Sequence, residues 1–155
     1  MENNKIEIKI EKVKGCEDLS LPISASKFSS GVDLLSAKAT DIVLKPGKVK
    51  LISAGIKIMI PEGYEGQIRP RSGLALKHGI TVLNTPGTID SDYRGVVKVI
   101  LINLGEKDFK IQRGDRIAQL VIQKIFFPNF KIVDTLDKTK RGEGGFGHSG
   151  IRNTN

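Results

Sequence analysis

Ile56-Lys57-Ile58-Met59-Ile60 runs straight into Pro61-Glu62-Gly63, and this short stretch decides the fold class. Isoleucine at every second position is the period-two pattern of a strand that buries one face. The proline and glycine that follow are turn chemistry. The same pairing recurs in both directions along the chain. Ile6-Glu7-Ile8-Lys9-Ile10 alternates, as do Val49 to Ile52, Val97 to Leu104 and Arg116 to Phe126. Turn signals separate these runs at Lys45-Pro46-Gly47-Lys48, Thr85-Pro86-Gly87 and Arg113-Gly114-Asp115. Many short strands at close spacing predict an all-β antiparallel barrel or sandwich. Helical periodicity is confined to Ser72 to His78, where Ser72 is placed to cap the start and Gly79 the end, so one short helix is expected.

With 155 residues, 39% of them hydrophobic, the chain is long enough for one domain with a real core. A single cysteine, Cys16, excludes a disulfide scaffold and reads as an inert packing residue, since neither His78 nor His148 shares a local motif with it. The longest apolar stretch, Val96 to Leu104, is interrupted by Lys98 and Asn103 and is far short of the roughly 20 residues that cross a bilayer. Met1 to Glu11 is acidic and lacks the apolar core of a secretory signal, so a cytoplasmic protein without a membrane role is expected. The 25 Lys+Arg against 17 Asp+Glu leave a net charge of +8, which raises nucleic acid as a partner. The lysines, however, are spread over alternate positions of strand-like runs, and aromatics amount to only 5% with no tryptophan. The stacking rows of single-strand binders are missing, and no nucleic-acid partner is expected.

Five segments carry polar residues that a strand does not need. Ser30-Gly31-Val32-Asp33-Leu34 places an acid between apolar neighbours, where it reads as a turn acceptor or a ligand-facing group. Arg71-Ser72-Gly73-Leu74-Ala75 joins a guanidinium and a hydroxyl at a helix start, a combination suited to phosphate by charge and dipole, or simply a capped helix beside a surface arginine. In Asn84-Thr85-Pro86-Gly87-Thr88-Ile89-Asp90-Ser91-Asp92-Tyr93-Arg94-Gly95, Pro86-Gly87 turns the chain, which reads as a hairpin with backbone donors and acceptors exposed at its tip. Asp90 on its arm is a candidate general base and Tyr93 a candidate stacking or packing residue. Gly114-Asp115-Arg116-Ile117-Ala118-Gln119-Leu120 feeds a strand in which Asp115 and Arg116 read as structural, while the polar Gln119 needs a partner. From Lys138 the strand pattern is lost, and Arg141 to Gly150 holds five glycines in ten residues. That tail is either a flexible spacer or a lid, because Arg141 can pair with phosphate and Phe146 offers a flat face.

In this order and spacing the segments resemble the five motifs of the trimeric deoxyuridine triphosphatases, from about Ser30 to Gly150. The resemblance implies a β jelly-roll homotrimer with shared active sites: a jelly-roll domain over 1–137, and a tail over 138–155 that closes over a neighbour's site. It implies hydrolysis of dUTP to dUMP and pyrophosphate, with Asp90 positioning and deprotonating the water that attacks the α-phosphorus. Ordinary carboxylates are weak bases, so most of the rate would come from alignment and charge neutralisation. Mg²⁺ would ride on the triphosphate, with Asp33 reaching it through water. By the same resemblance Ser72, Gly73 and Gln119 bind phosphate oxygens, and Arg71 braces Asp33 or the phosphates. Asn84 with the backbone of Gly87, Thr88 and Ile89 imitates a pairing partner for uracil. Tyr93 packs on the deoxyribose with Lys98 nearby, while Arg141, Phe146, Gly147 and Ser149 reach over from the tail. Ser30-Gly31-Val32 stands where the family commonly has Ala-Gly-aromatic, and His148-Ser149-Gly150 where it has Ser-Thr-Gly. A dCTP deaminase on the same fold would need a glutamate in the nucleobase pocket, and the segment around Asp90 offers none. A catalytically silent nucleotide-binding module is at odds with the intact Asp90.

Overall fold

The computed structural model describes residues 6–145. Eleven strands and one helix follow in order: β1 (Lys9–Lys12), β2 (Gly31–Leu35), β3 (Ile42–Leu44), β4 (Val49–Ser53), β5 (Ile56–Met59), β6 (Tyr64–Arg69), α1 (Ser72–His78), β7 (Ile80–Val82), β8 (Gly87–Ile89), β9 (Lys98–Asn103), β10 (Phe109–Ile111) and β11 (Arg116–Lys124). Every pairing is antiparallel. A four-stranded sheet runs β2-β11-β6-β8 and a three-stranded sheet β4-β9-β7, with β1-β5 and β3-β10 as two-stranded pairs. This is the all-β antiparallel architecture with one short helix that the alternation predicts.

The core lies between the two larger sheets. Leu34, Leu44, Ile52, Val99, Leu101 and Ile111 are fully buried, and each such side chain contributes about 1.5–3 kcal/mol on leaving water. Asn103, also fully buried, is satisfied: its amide donates to the Leu44 and Lys107 carbonyls at 2.8 Å each and its oxygen accepts from the Gly105 N–H. Turns fall at the expected glycines, Gly47, Gly63 and Gly114, all at positive φ.

Four features depart from the sequence reading. The first strand begins at Lys9 rather than Ile6, because its partner β5 ends at Met59, just before Pro61, and leaves nothing upstream of Lys9 to pair with. Arg71 rather than Ser72 holds the N-cap position of α1: it is extended at φ −93 and ψ 128, makes no side-chain capping bond, and its carbonyl accepts from the Leu74 and Ala75 N–H groups. Gly79 closes the helix as expected, left-handed at φ 67. Asp33 is a strand residue rather than a turn acceptor. Finally, Pro86-Gly87 is not the tip of a hairpin. β7 pairs with β9 and β8 with β6, so 83–86 carries the chain from one sheet to the other.

Arg113 fastens the N-terminal turn to this frame. Its guanidinium donates to both carboxylate oxygens of Asp18, at 3.0 and 2.6 Å, and to the carbonyls of Ala37 and Gly15. The hydrogen bonds from Arg113 hold the Asp18 carboxyl below its ordinary value, and Asp18 in turn raises the guanidinium. Cys16 is buried beside it, against Gly55, as a packing residue. No helix among the described residues is long and apolar enough to cross a membrane.

Candidate functional site

A bulge builds the first half of the site. Between Arg116 and Ala118 the β2–β11 register shifts, with Arg116 opposite Leu35 and Ala118 opposite Leu34. Ile117 and Ala118 are therefore both buried, and Arg116 is turned onto the outer face of the sheet with Gln119 and Asp33. Without the extra residue, alternation from Gln119 would send Arg116 into the core, a use of bulges common beside functional sites.

On that face Asp33 lies between two guanidinium groups. Its Oδ1 is 2.9 Å from Arg71 Nε and its Oδ2 is 3.6 Å from Arg116 Nη1. Arg71 also donates from Nη1 to the Arg116 carbonyl at 3.1 Å, so it binds β2 to β11 just before α1 begins. The partner that Gln119 needs is the Pro70 carbonyl, which accepts from its Nε2 at 2.9 Å. A Cβ at position 31 would overlap Gln119 Oε1, which is why glycine precedes Asp33 by two residues. Ser72 and Gly73 follow on the exposed first turn of α1, where backbone N–H groups have no intrahelical carbonyl to reach. Three more polar residues share the sheet face, Arg69 donating to Gln67 and Gln67 donating to Glu65.

The second half is a cavity of about 180 Å³ beside β8, with apolar walls that include Leu51, Ile68, Ile89 and Ile100. Asn84, Gly87, Thr88, Asp90, Tyr93 and Lys98, all predicted site residues, line it as well. β8 is an edge strand, so its backbone groups on the side away from β6 are free of sheet partners. Gly87 lets Asn84 pack close: a Cβ there would lie 3.2 Å from its Nδ2. The Tyr93 ring packs against Gly95, where a Cβ would overlap it, and its hydroxyl donates to the Val96 carbonyl at 3.3 Å. Asp90 is exposed at the mouth, with its carbonyl accepting from the Tyr93 N–H.

These two halves do not meet within one chain. β2 and β8 are the opposite edges of the four-stranded sheet, three strand spacings or roughly 14 Å apart. Asp33 is level with Gln119 and Arg69, whereas Asp90 follows Ile89, which is level with Gly66, so a further ~13 Å separates them along the strands. Asp33, Arg71 and Gln119 thus occupy one corner of the sheet and Asp90 the diagonal one. Arg141 joins neither half, for its Nε donates to the Gly144 carbonyl in its own turn. Phe146, Gly147 and Ser149 lie outside the described residues. Arg116, Gly31 and the cavity-wall residues Leu51, Ile68 and Ile100 were not among the expected site residues, whereas Ile89 was. Gly31 and the consecutive apolar pair Ile117-Ala118 were their only traces in the sequence.

Comparison with known proteins is consistent throughout. The dUTPase family model matches residues 17–150. A deoxyuridine 5'-triphosphate nucleotidohydrolase of Thermoanaerobacter sp. (strain X514) is 54% identical over 93% of this chain and 97% of its own length. One from Rickettsia typhi is 53% identical over 94% and 98%. Among solved structures, a mutant dUTPase of Staphylococcus bacteriophage 80alpha with dUpNHpp is similar at TM-score 0.84 and 27% identity, covering 95% of this chain and all of that one. A mutant dUTPase of the S. aureus phage phi11, described with a structural Mg(II) ion, is similar at TM-score 0.74 and 26% identity, over 84% and 98%.

Proposed function

The chain belongs to the dUTPase family, and from that premise we infer that it hydrolyses dUTP to dUMP and pyrophosphate at sites divided between copies of itself. The observation that carries the division is the diagonal placement of Asp33, Arg71 and Gln119 against Asp90 and the β8 cavity. A general base must come within hydrogen-bond reach of its proton, so phosphates held at one corner need Asp90 from another chain. The cavity is smaller than the roughly 300 Å³ at which ligand pockets usually begin, as suits the nucleoside end alone. An apolar arm after β11, with Phe126, Phe130, Ile132 and Leu136 each more than four-fifths exposed, supports a homotrimer in which copies cover one another.

In this reading uracil enters the β8 cavity, where Asn84 and the free edge of Gly87, Thr88 and Ile89 read its pairing edge. Tyr93 packs on the deoxyribose, where a 2′-hydroxyl would collide, and Lys98 flanks it. Ser72, Gly73 and Gln119 of another copy bind phosphate oxygens, while Arg71 braces Asp33 rather than spending itself on phosphate. A water held by Asp90 attacks the α-phosphorus, its proton passes to the carboxylate, and the bond to the bridging oxygen breaks to release pyrophosphate. Alignment and charge neutralisation supply most of the rate.

Among the described residues no three His, Cys, Asp or Glu side chains converge as a metal site, and Asp33 already faces two guanidinium groups. That donor set fits Mg²⁺ carried by the triphosphate, with Asp33 contacting it through water, better than an ion held by the chain alone. The ion, when bound, neutralises phosphate charge. Residues 138–155 act as a tail that closes over a neighbour's site, bringing Arg141, Phe146, Gly147 and Ser149. The protein is cytoplasmic and works without nucleic acid or membrane. Pyrophosphate release from dUTP tests the assignment: Asp90→Asn lowers it about 10²- to 10⁴-fold with the fold intact. Undiminished release by that variant overturns the assigned base.

A further inference from the structure

Asp33 and Asp90 stand at diagonal corners of one sheet, and the middle of that diagonal falls on its two inner strands, β6 and β11. Asp33 is level with Arg69, while Asp90, one residue past the Ile89–Gly66 pair, is level with Glu65. Gln67 lies halfway between, opposite Val121 on β11 and Thr88 on β8. Here the outer face carries a polar ladder within the chain: Arg69 donates from Nε to Gln67 Oε1 at 3.0 Å, and Gln67 donates from Nε2 to Glu65 Oε1 at 2.6 Å. All three residues are half-buried, and one carboxylate against one guanidinium leaves the ladder neutral.

A closed ring of three copies fixes what faces its axis. Each Asp33 corner has to meet the Asp90 of the next chain, so the three diagonals become the sides of a triangle, and the middle of each side is the part nearest the axis. With ~14 Å across the strands and ~13 Å along them, a diagonal is ~19 Å long and its midpoint ~5 Å from the axis, or ~7 Å when room for a substrate lengthens each side to ~25 Å. A glutamine side chain reaches about 5 Å from its Cα. We propose that the outer face of β6 and β11 is the surface on which second and third copies of the chain assemble, with the three Gln67 side chains meeting at the axis and each ladder holding its own charges neutral there. The inference rests on the reading of a site divided among three copies, and names the surface that joins them.

Crosslinking and sedimentation of the full-length protein test the surface, with melting temperature as a check on the fold. The single native cysteine, Cys16, is buried, so a short bis-maleimide acts on introduced thiols. Three thiols around one axis join only in pairs: Gln67→Cys gives linked dimers that hold up to two of every three chains, while wild type and Lys45→Cys, on the exposed turn after β3, stay unlinked. Gln67→Glu leaves every ladder with a charge of −1, and the concentration at which trimers come apart rises at least about tenfold at low salt, whereas Gln67→Met keeps it within about threefold. Linking of Gln67→Cys no greater than that of wild type, or a Gln67→Glu trimer as tight as wild type, overturns the axis assignment. Wild-type protein that sediments as a monomer overturns the divided-site reading itself.

Discussion

Gly31→Ala separates the stability of the fold from the competence of the phosphate corner. A Cβ at 31 overlaps Gln119 Oε1 and would lie 3.2 Å from Gln119 Cδ, while its other near neighbour, Gln119 Cβ, is at an ordinary 3.5 Å. The atom that must move is the end of a flexible side chain. β2 keeps its pairing with β11, and the structure gives up the 2.9 Å bond from Gln119 to the Pro70 carbonyl. One such bond is worth about 0.5–1.5 kcal/mol net, offset by about 0.4–1 kcal/mol from the stiffer unfolded chain, so stability changes by at most about 1 kcal/mol. For a domain of this size that moves the melting temperature by about 2–4 °C. Displacing Gln119 from phosphate costs more, about 1.5–3 kcal/mol for a hydrogen bond to a charged group, or tenfold to hundredfold in kcat/KM. Steady-state kinetics and thermal melts of Gly31→Ala, Gln119→Ala and the double variant form a cycle in which the alanine at 31 costs almost nothing once Gln119 is gone. Additive losses in kcat/KM, or a Gly31→Ala enzyme with wild-type kinetics, refute the reasoning.

Gly79→Ala forces a side chain into a left-handed position at φ 67 and against the Gly105 backbone, where the Leu104 N–H meets the Gly79 carbonyl at 2.8 Å. The conformation alone costs about 1–2 kcal/mol, and with the overlap a calorimetric melt shows a drop of about 4–8 °C. Arg113→Gln removes the group that lowers the Asp18 carboxyl. A carboxyl lowered on folding adds stability that is complete above its ordinary value of 3.8 and lost as pH falls through the folded value. Melting temperatures of the variant therefore lie below wild type at pH 6, and the gap narrows as pH falls below 3.8 without closing, because the bonds to the Ala37 and Gly15 carbonyls are lost at every pH. A constant gap across that range contradicts the assignment.

The strands with a wet face were legible because their alternation is set by burial on one side. Ile56 to Ile60 needed no tertiary context, whereas in β4 Val49 and Leu51 stay exposed and Ile52 is the buried residue, and β11 opens on a bulge that breaks the alternation. β2, β6 and β8 were harder to see as strands, since Asp33, Arg69 and Gln67 face a polar surface that no periodicity records. Asn84-Thr85-Pro86-Gly87 carries hairpin chemistry, and only the pairing of β8 with β6 instead of β7 shows that it links two sheets. Most candidate residues were visible as polar interruptions, and the need of Gln119 for a partner was readable from one residue. Arg116 was not, because a bulge depends on register between strands eighty residues apart.

The division of the site between chains is tested most directly by mixing two crippled proteins. Asp90→Asn keeps the phosphate corner and loses the base, whereas Asp33→Asn combined with Gln119→Ala keeps the base and loses the phosphate corner. Each is close to inactive on dUTP. Unfolded together in equal amounts and refolded, they form mixed trimers in which a whole site arises when an intact phosphate corner meets an intact Asp90 on the next chain. With random assembly in a closed ring that happens at about one site in four, so the mixture recovers about a quarter of wild-type turnover. A mixture no more active than its parents contradicts the account, because sites complete within one chain gain nothing from a partner.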